Sequence, residues 1–197
     1  GVTFYKSPVR IYSSIFESSF AEDALNIIHS DFYLDQVEFS GTLSDAFDGD
    51  FTMGEVRNSS FHDIAGDALD FSGSEVSIHT SAFVNISDKA ISIGENSDVA
   101  IFNVRIQQVG IGVASKDLSS VTIADSEISQ ANIAGMAAYI KKPQYGPASI
   151  IATNLEIQDS QIAALCQTGN HIELNAVLIP EEELDVDQLY EMGVVTD

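Results

Sequence analysis

Asp45, Asp48, Asp50, Asp67, Asp70 and Lys89 are the residues of this 197-residue chain whose types and spacing could do chemistry. Brought together, the five aspartates would repel one another unless a proton or a cation were shared. Calcium suits such a set, because it takes several carboxylate oxygens in flexible geometry. Asp48, Asp50 and Asp70 also offer the paired carboxylates that acid–base cleavage of a glycosidic bond uses. Lys89 or Lys116 beside a metal-bound uronate could serve as the base of a β-elimination, once its ammonium had lost a proton. The plainer alternatives are aspartates that cap bends and an Asp67–Lys89 ion pair.

A second group is basic. Lys116, Lys141 and Lys142 are three of only eight Lys and Arg residues. Aligning Gly110 with Gly135 puts Lys116 and Lys141 at equivalent positions. An anionic ligand such as a uronic acid, sulfate or phosphate could bridge the three lysines. Tyr139 and Tyr145 flank them and offer faces for a sugar ring, although tyrosines at strand ends also serve as ordinary packing. Pairing with Asp117 or Glu95 is the alternative for the lysines. The four histidines show no metal-ligand spacing, and G-x-S-x-G, CxxC and phosphate-loop strings are absent. The single Cys166 lies in the apolar run Ile162-Ala163-Ala164-Leu165-Cys166 and reads as buried filler.

A repeat is what would gather these residues. Asp23-Ala24-Leu25-Asn26, Asp45-Ala46-Phe47-Asp48, Asp67-Ala68-Leu69-Asp70 and Lys89-Ala90-Ile91-Ser92 align without gaps, with alanines at 24, 46, 68 and 90, a step of 22 residues. Each repeat holds three short apolar alternations, such as Leu69/Phe71, Val76/Ile78 and Phe83/Ile86, which is the period of half-buried strands. A unit of this length is too short for a crossover helix. The reading is an all-β fold: a right-handed, single-stranded parallel β-helix, a solenoid of about eight to nine coils stacked ~4.8 Å apart. Residues 1–197 form one domain, with an irregular first coil at 1–22, regular coils at 23–184 and a C-terminal cap at 185–197. Asp187 as N-cap and Gly193 as stop predict a short helix over the C-terminal end. Leu25, Phe47, Leu69, Ile91, Ile111, Met136, Ile162 and Leu184 are expected to point inward. Asn26, Asp48, Asp70 and Ser92 then share an outer wall, with Asp50 beside them and Asp45 and Asp67 at the preceding bend.

Composition limits the function classes. Thirty acidic residues against eight basic ones give a net charge of −22. Such a chain repels nucleic acid and anionic membrane surfaces at long range. No stretch reaches the ~20 apolar residues of a membrane span. The chain opens Gly-Val-Thr-Phe without Met, which suggests an excised part of a longer protein with other domains.

Several strings carry a resemblance: Asp45-Ala46-Phe47-Asp48-Gly49-Asp50-Phe51, Gly66-Asp67-Ala68-Leu69-Asp70-Phe71-Ser72-Gly73-Ser74, Asp88-Lys89-Ala90-Ile91-Ser92-Ile93-Gly94-Glu95, Gly112-Val113-Ala114-Ser115-Lys116-Asp117-Leu118-Ser119 and Lys141-Lys142-Pro143-Gln144-Tyr145-Gly146. Over most of residues 23–150 the chain resembles a β-helix region of bacterial CotH-like kinase and lamin-tail proteins. More broadly it looks like the pectin-lyase-like superfamily. That resemblance implies the fold and polysaccharide handled along the outer face; the expected setting is extracellular or cell-surface. The chain departs from pectate lyases and polygalacturonases: it has no Gly-His-Gly or Arg-Ile-Lys string. Arg10, Arg57 and Arg105 also fall away from the acidic register. The expectation is a surface for anionic polysaccharide, helped by calcium. A polysaccharide lyase or glycoside hydrolase and a structural spacer or adhesin stalk are the alternatives, and enzyme status stays open.

Overall fold

The structure, a computed structural model that describes residues 1–191, is a parallel β-solenoid of about eight turns. On its first face each coil pairs in parallel with the next, in the register Val2, Leu25, Phe47, Leu69, Ile91, Val113, Met136, Ala164. The first coil already carries three strands, Val2–Tyr5, Val9–Tyr12 and Ile15–Glu17, in register with the second coil. Later strands run through the bends, as in Ser120–Tyr139.

The repeated alanine marks a corner. Ala24, Ala46, Ala68 and Ala90 join the core together with Leu25, Phe47, Leu69 and Ile91, the residues that follow them. Two successive inward residues break the alternation, as a bulge does. The residues on either side then lie on the outer side of the wall, where Asp67 is buried and Asp70 is half-buried. The other corners use left-handed backbone at Asn58 (φ 48°), Asn85 (φ 58°), Asn103 (φ 55°) and Asn154 (φ 51°), a conformation that Asn tolerates better than most residues.

Corner N–H groups that miss the strand ladders need other acceptors. Stacked serines supply them: Thr52 N–H donates to Ser74 Oγ at 3.0 Å, Ser74 N–H to Ser97 Oγ at 3.0 Å, and Ser97 N–H to Ser119 Oγ at 3.1 Å. Inside, the Phe16, Phe39, Phe61 and Phe83 rings stack at centroid spacings of 4.6, 5.2 and 4.8 Å.

The structure corrects part of the inward set. The 22-residue step continues from Ile91 to Val113, so Val113 is the core residue and Ile111 pairs with Lys89. Ile111 joins a separate outer cluster, Ile162 is exposed, and Leu184 packs on that outer cluster. The helix, Val186–Glu191, packs on the flank of the first face, against this apolar cluster. Gly193 lies outside the described residues. Among those residues, no helix is long and apolar enough to cross a membrane.

Candidate functional site

The outer side of the first face carries columns of polar residues, one per coil. One column holds Asp23 and Asp45, paired in register, followed by Asp67 and Lys89. Asp67 N–H donates to Asp45 Oδ1 at 2.7 Å, and Lys89 N–H donates to Asp67 Oδ1 at 2.9 Å. The next column is Asn26, Asp48, Asp70 and Ser92. The third is Ile28, Asp50, Ser72 and Gly94. Carboxylate oxygens of Asp45, Asp67 and Asp70 all lie within 4.8 Å of one another. Asn26 Nδ2 bridges Asp48 Oδ2 at 2.9 Å and Asp23 Oδ2 at 3.1 Å.

Burial raises the proton affinity of these acids, and their neighbours add to it. Burial, then Asp50, Asp70, Asp23 and Asp45, pushes Asp48 up to about 8. Burial, reinforced by Asp70 and Asp23, takes Asp45 to about 6, against the hydrogen bond from Asp67 N–H. Asp50 is raised by burial, Asp70 and Asp23. At neutral pH Asp48 therefore keeps its proton, and a cation bound nearby would favour its release.

The lysines differ from the sequence expectation. Lys89 is buried, and its ammonium donates to Asp88 Oδ2 at 2.8 Å and Asp67 Oδ1 at 3.2 Å. Burial opposes its charge, but Asp67 and Asp88 outweigh that, so its pKa lies above the ordinary lysine value. A lysine held protonated is not a general base at neutral pH. Lys116 is buried as well. It lies close to Gly94 and donates from Nζ to Ser92 Oγ at 2.8 Å. Burial opposes its charge too, yet Asp70 and Tyr190 help raise its pKa.

The expected basic patch breaks up. Lys116 pairs in register with Tyr139, not Lys141. Lys141 and Lys142 donate their backbone N–H groups to Asp117 Oδ1 at 2.8 and 2.6 Å, and the Lys142 ammonium pairs with Glu95. Tyr139 is 0% exposed and cannot carry a sugar ring, whereas Tyr145 is exposed.

The C-terminal segment explains that burial. Leu184, Val186, Leu189 and Tyr190 form a strap over Ile111, Ala114, Ala134, Ala137, Tyr139 and Leu165. The Tyr190 hydroxyl meets the Tyr139 hydroxyl at 2.9 Å. The Tyr190 ring centroid lies 5.7 Å from Lys89 Nζ and 4.4 Å from Lys141 Nζ. These strap contacts fall on the fifth to eighth coils, whereas the carboxylate columns occupy the second to fourth.

Sequence reasoning missed an aromatic ladder along the corner beside Asp50. His29 and Phe51 stack at 4.9 Å, and Tyr5 meets His29 edge-on at 6.3 Å. Tyr5 is 58% exposed and Phe51 54%. Gly73 (φ 60°) follows one coil later, where an added Cβ would fall 2.7 Å from the Phe51 ring. The 22-residue spacing of His29, Phe51 and Gly73 was the available signal.

Fold and surface together define a parallel solenoid with a polar column face. The chain belongs to the family described as right handed beta helix region, which matches residues 6–177 and makes the coil right-handed. No curated protein matches the chain. Among solved structures it is similar to the periplasmic alginate epimerase AlgG, with 10% identity and a TM-score of 0.46, covering 81% of this chain and 51% of that one. A mutant of that epimerase gives 10% identity, a TM-score of 0.48, and 79% and 50% coverage. A trypsin-treated variant of QnrB1, a plasmid-mediated fluoroquinolone resistance protein, gives 12% identity, a TM-score of 0.23, and 100% coverage of both chains. The chain spans about half the length of the epimerase structures it matches. These likenesses say nothing of activity. Neither the family match nor these structures bear on the resemblance to CotH-like kinase and lamin-tail chains.

Proposed function

We propose that this chain is a polysaccharide-binding β-helix module of a larger secreted or cell-surface protein, and that its first face holds an anionic glycan through a shared divalent cation. The observation that carries this reading is the exposed ladder of Tyr5, His29 and Phe51 beside the carboxylate columns. Three rings on successive coils, with centroids 6.3 and 4.9 Å apart, leave exposed edges and outer faces for the C–H surfaces of a chain of sugars. The adjacent carboxylates supply the polar contacts. Asp45, Asp67 and Asp70 have the hard oxygen donors that calcium prefers and sit close enough to share an ion. Lys89 already neutralises part of Asp67, so Asp45 and Asp70, next to Asp48 and Asp50, remain the stronger ligands.

The test is retention on immobilised pectate and alginate, with calcium and with chelator. The reading predicts calcium-dependent retention, weakened about tenfold, or about 1.4 kcal/mol, by Asp70→Asn and by Phe51→Ala. Retention unaffected by chelator, or absent from both glycans, contradicts it.

One observation favours hydrolysis as a second reading. Asp48 and Asp70 stand in register on adjacent coils, the pair of carboxyl groups that glycoside hydrolysis uses, and burial pushes Asp48 up to about 8. New reducing ends from polygalacturonate, abolished by Asp48→Asn, would support it. No reducing ends with wild type would remove it.

A further inference from the structure

Around the corner from the aromatic ladder, the outer side of the second face holds an open notch of about 570 Å3, lined in part by Pro8, Arg10, Asp31, Tyr33, Gly54 and Glu55. Arg10, Tyr33 and Glu55 form one column across the first three coils. The Arg10 guanidinium lies 5.9 Å from the Tyr33 ring centroid, and Tyr12 packs on Tyr33 at 5.6 Å. Glu55 is engaged, by Arg57 at 3.1 Å and His79 at 3.6 Å. Arg10 and Asp31 are both exposed. Among the described residues neither forms an ion pair, with each other or with any other group.

The notch therefore presents a donor and an acceptor without an ion-pair partner, beside a tyrosine ring that Arg10 and Tyr12 cover in part. Asp31 and Glu55 would repel a phosphate or a uronate, and Arg10 would repel an ammonium group. A neutral hydroxylated ring avoids both penalties. Its hydroxyls can donate to Asp31 and accept from Arg10, while its C–H face lies against tyrosine. We infer that the notch of Arg10, Asp31 and Tyr33 is a second binding site, which takes a neutral sugar unit without a metal.

The experiment is a titration of the 15N-labelled full chain, in chelator, with cellohexaose, mannohexaose, xylohexaose and hexagalacturonate, read at the backbone amides of Tyr33 and Gly54. At least one neutral hexaose is expected to shift both amides at about 1 mM. Arg10→Gln and Asp31→Asn are each expected to weaken that binding about fivefold or more, with an unchanged melting temperature because both side chains are exposed. Asp70→Asn leaves it intact, which separates this site from the first-face site. The inference is overturned if no neutral hexaose moves these amides, if hexagalacturonate moves them as strongly, or if both notch variants bind like wild type.

Discussion

Burial and mutual repulsion both act on the acids of the first face, and both push in one direction. Asp48 is held at about 8 and Asp45 at about 6, above the ordinary 3.8. The native state therefore keeps protons that the unfolded chain releases. Stability from such groups is full below the unfolded value and is lost as pH rises through the folded values. Between about pH 4 and pH 8 these two groups should make wild type less stable, with Asp48→Asn flattening that slope; thermal melts across the range give the comparison. An Asp48→Asn slope identical to wild type would show that Asp48 holds no extra proton. Lys89 compensates buried acids instead of adding to their repulsion. Its ammonium offsets buried Asp67 and Asp88, and removing one partner of a buried charged group costs about 3–5 kcal/mol. Urea unfolding of Lys89→Met should show a loss of that size, greatest at high pH; a loss under about 1 kcal/mol would mean the pair is solvated. The Asp67–Lys89 pairing was legible in the sequence, because both residues occupy one repeat position. Asp88 was not, since a chain neighbour of the lysine carries no repeat signal of its own.

Among elements, the corners and the strap behave differently. Corners obey the repeat: an alanine beside a larger core residue at one bend, stacked serines and left-handed asparagines at others. The coil architecture could therefore be read from 22-residue spacing and two-residue alternation. The strap obeys no repeat. Its docking depends on Leu184, Val186, Leu189 and Tyr190 meeting small outward residues such as Ala114, Ala134 and Ala137. Nothing local marked those alanines as a landing strip. Tyr139 was read as a surface ring for the same reason, and the error in placing Ile111 came from aligning glycines instead of keeping the 22-residue step. Tyr190→Phe deletes the partner of the buried Tyr139 hydroxyl, and leaving such a group unsatisfied costs about 1–3 kcal/mol. Denaturant midpoints should register that loss for Tyr190→Phe, while Tyr145→Phe at an exposed site stays within about 0.5 kcal/mol. Equal effects in the two variants would contradict the docked strap.

Across the whole molecule, the first face divides along the solenoid axis. Coils two to four carry the carboxylate columns and border the aromatic ladder, and coils five to eight are covered by the strap. The net charge of −22 makes cation uptake favourable anywhere on the surface, so a general rise in stability with calcium discriminates little. Site-resolved titration does discriminate. A 13C-carboxyl NMR titration of Asp48, without and then with millimolar calcium, reads the state of the columns directly. The account predicts a midpoint near 8 without the ion, dropping toward the ordinary carboxylate range when calcium is added. A midpoint near 4 in both conditions, or one that calcium leaves unmoved, would contradict a first face built to exchange shared protons for a shared cation.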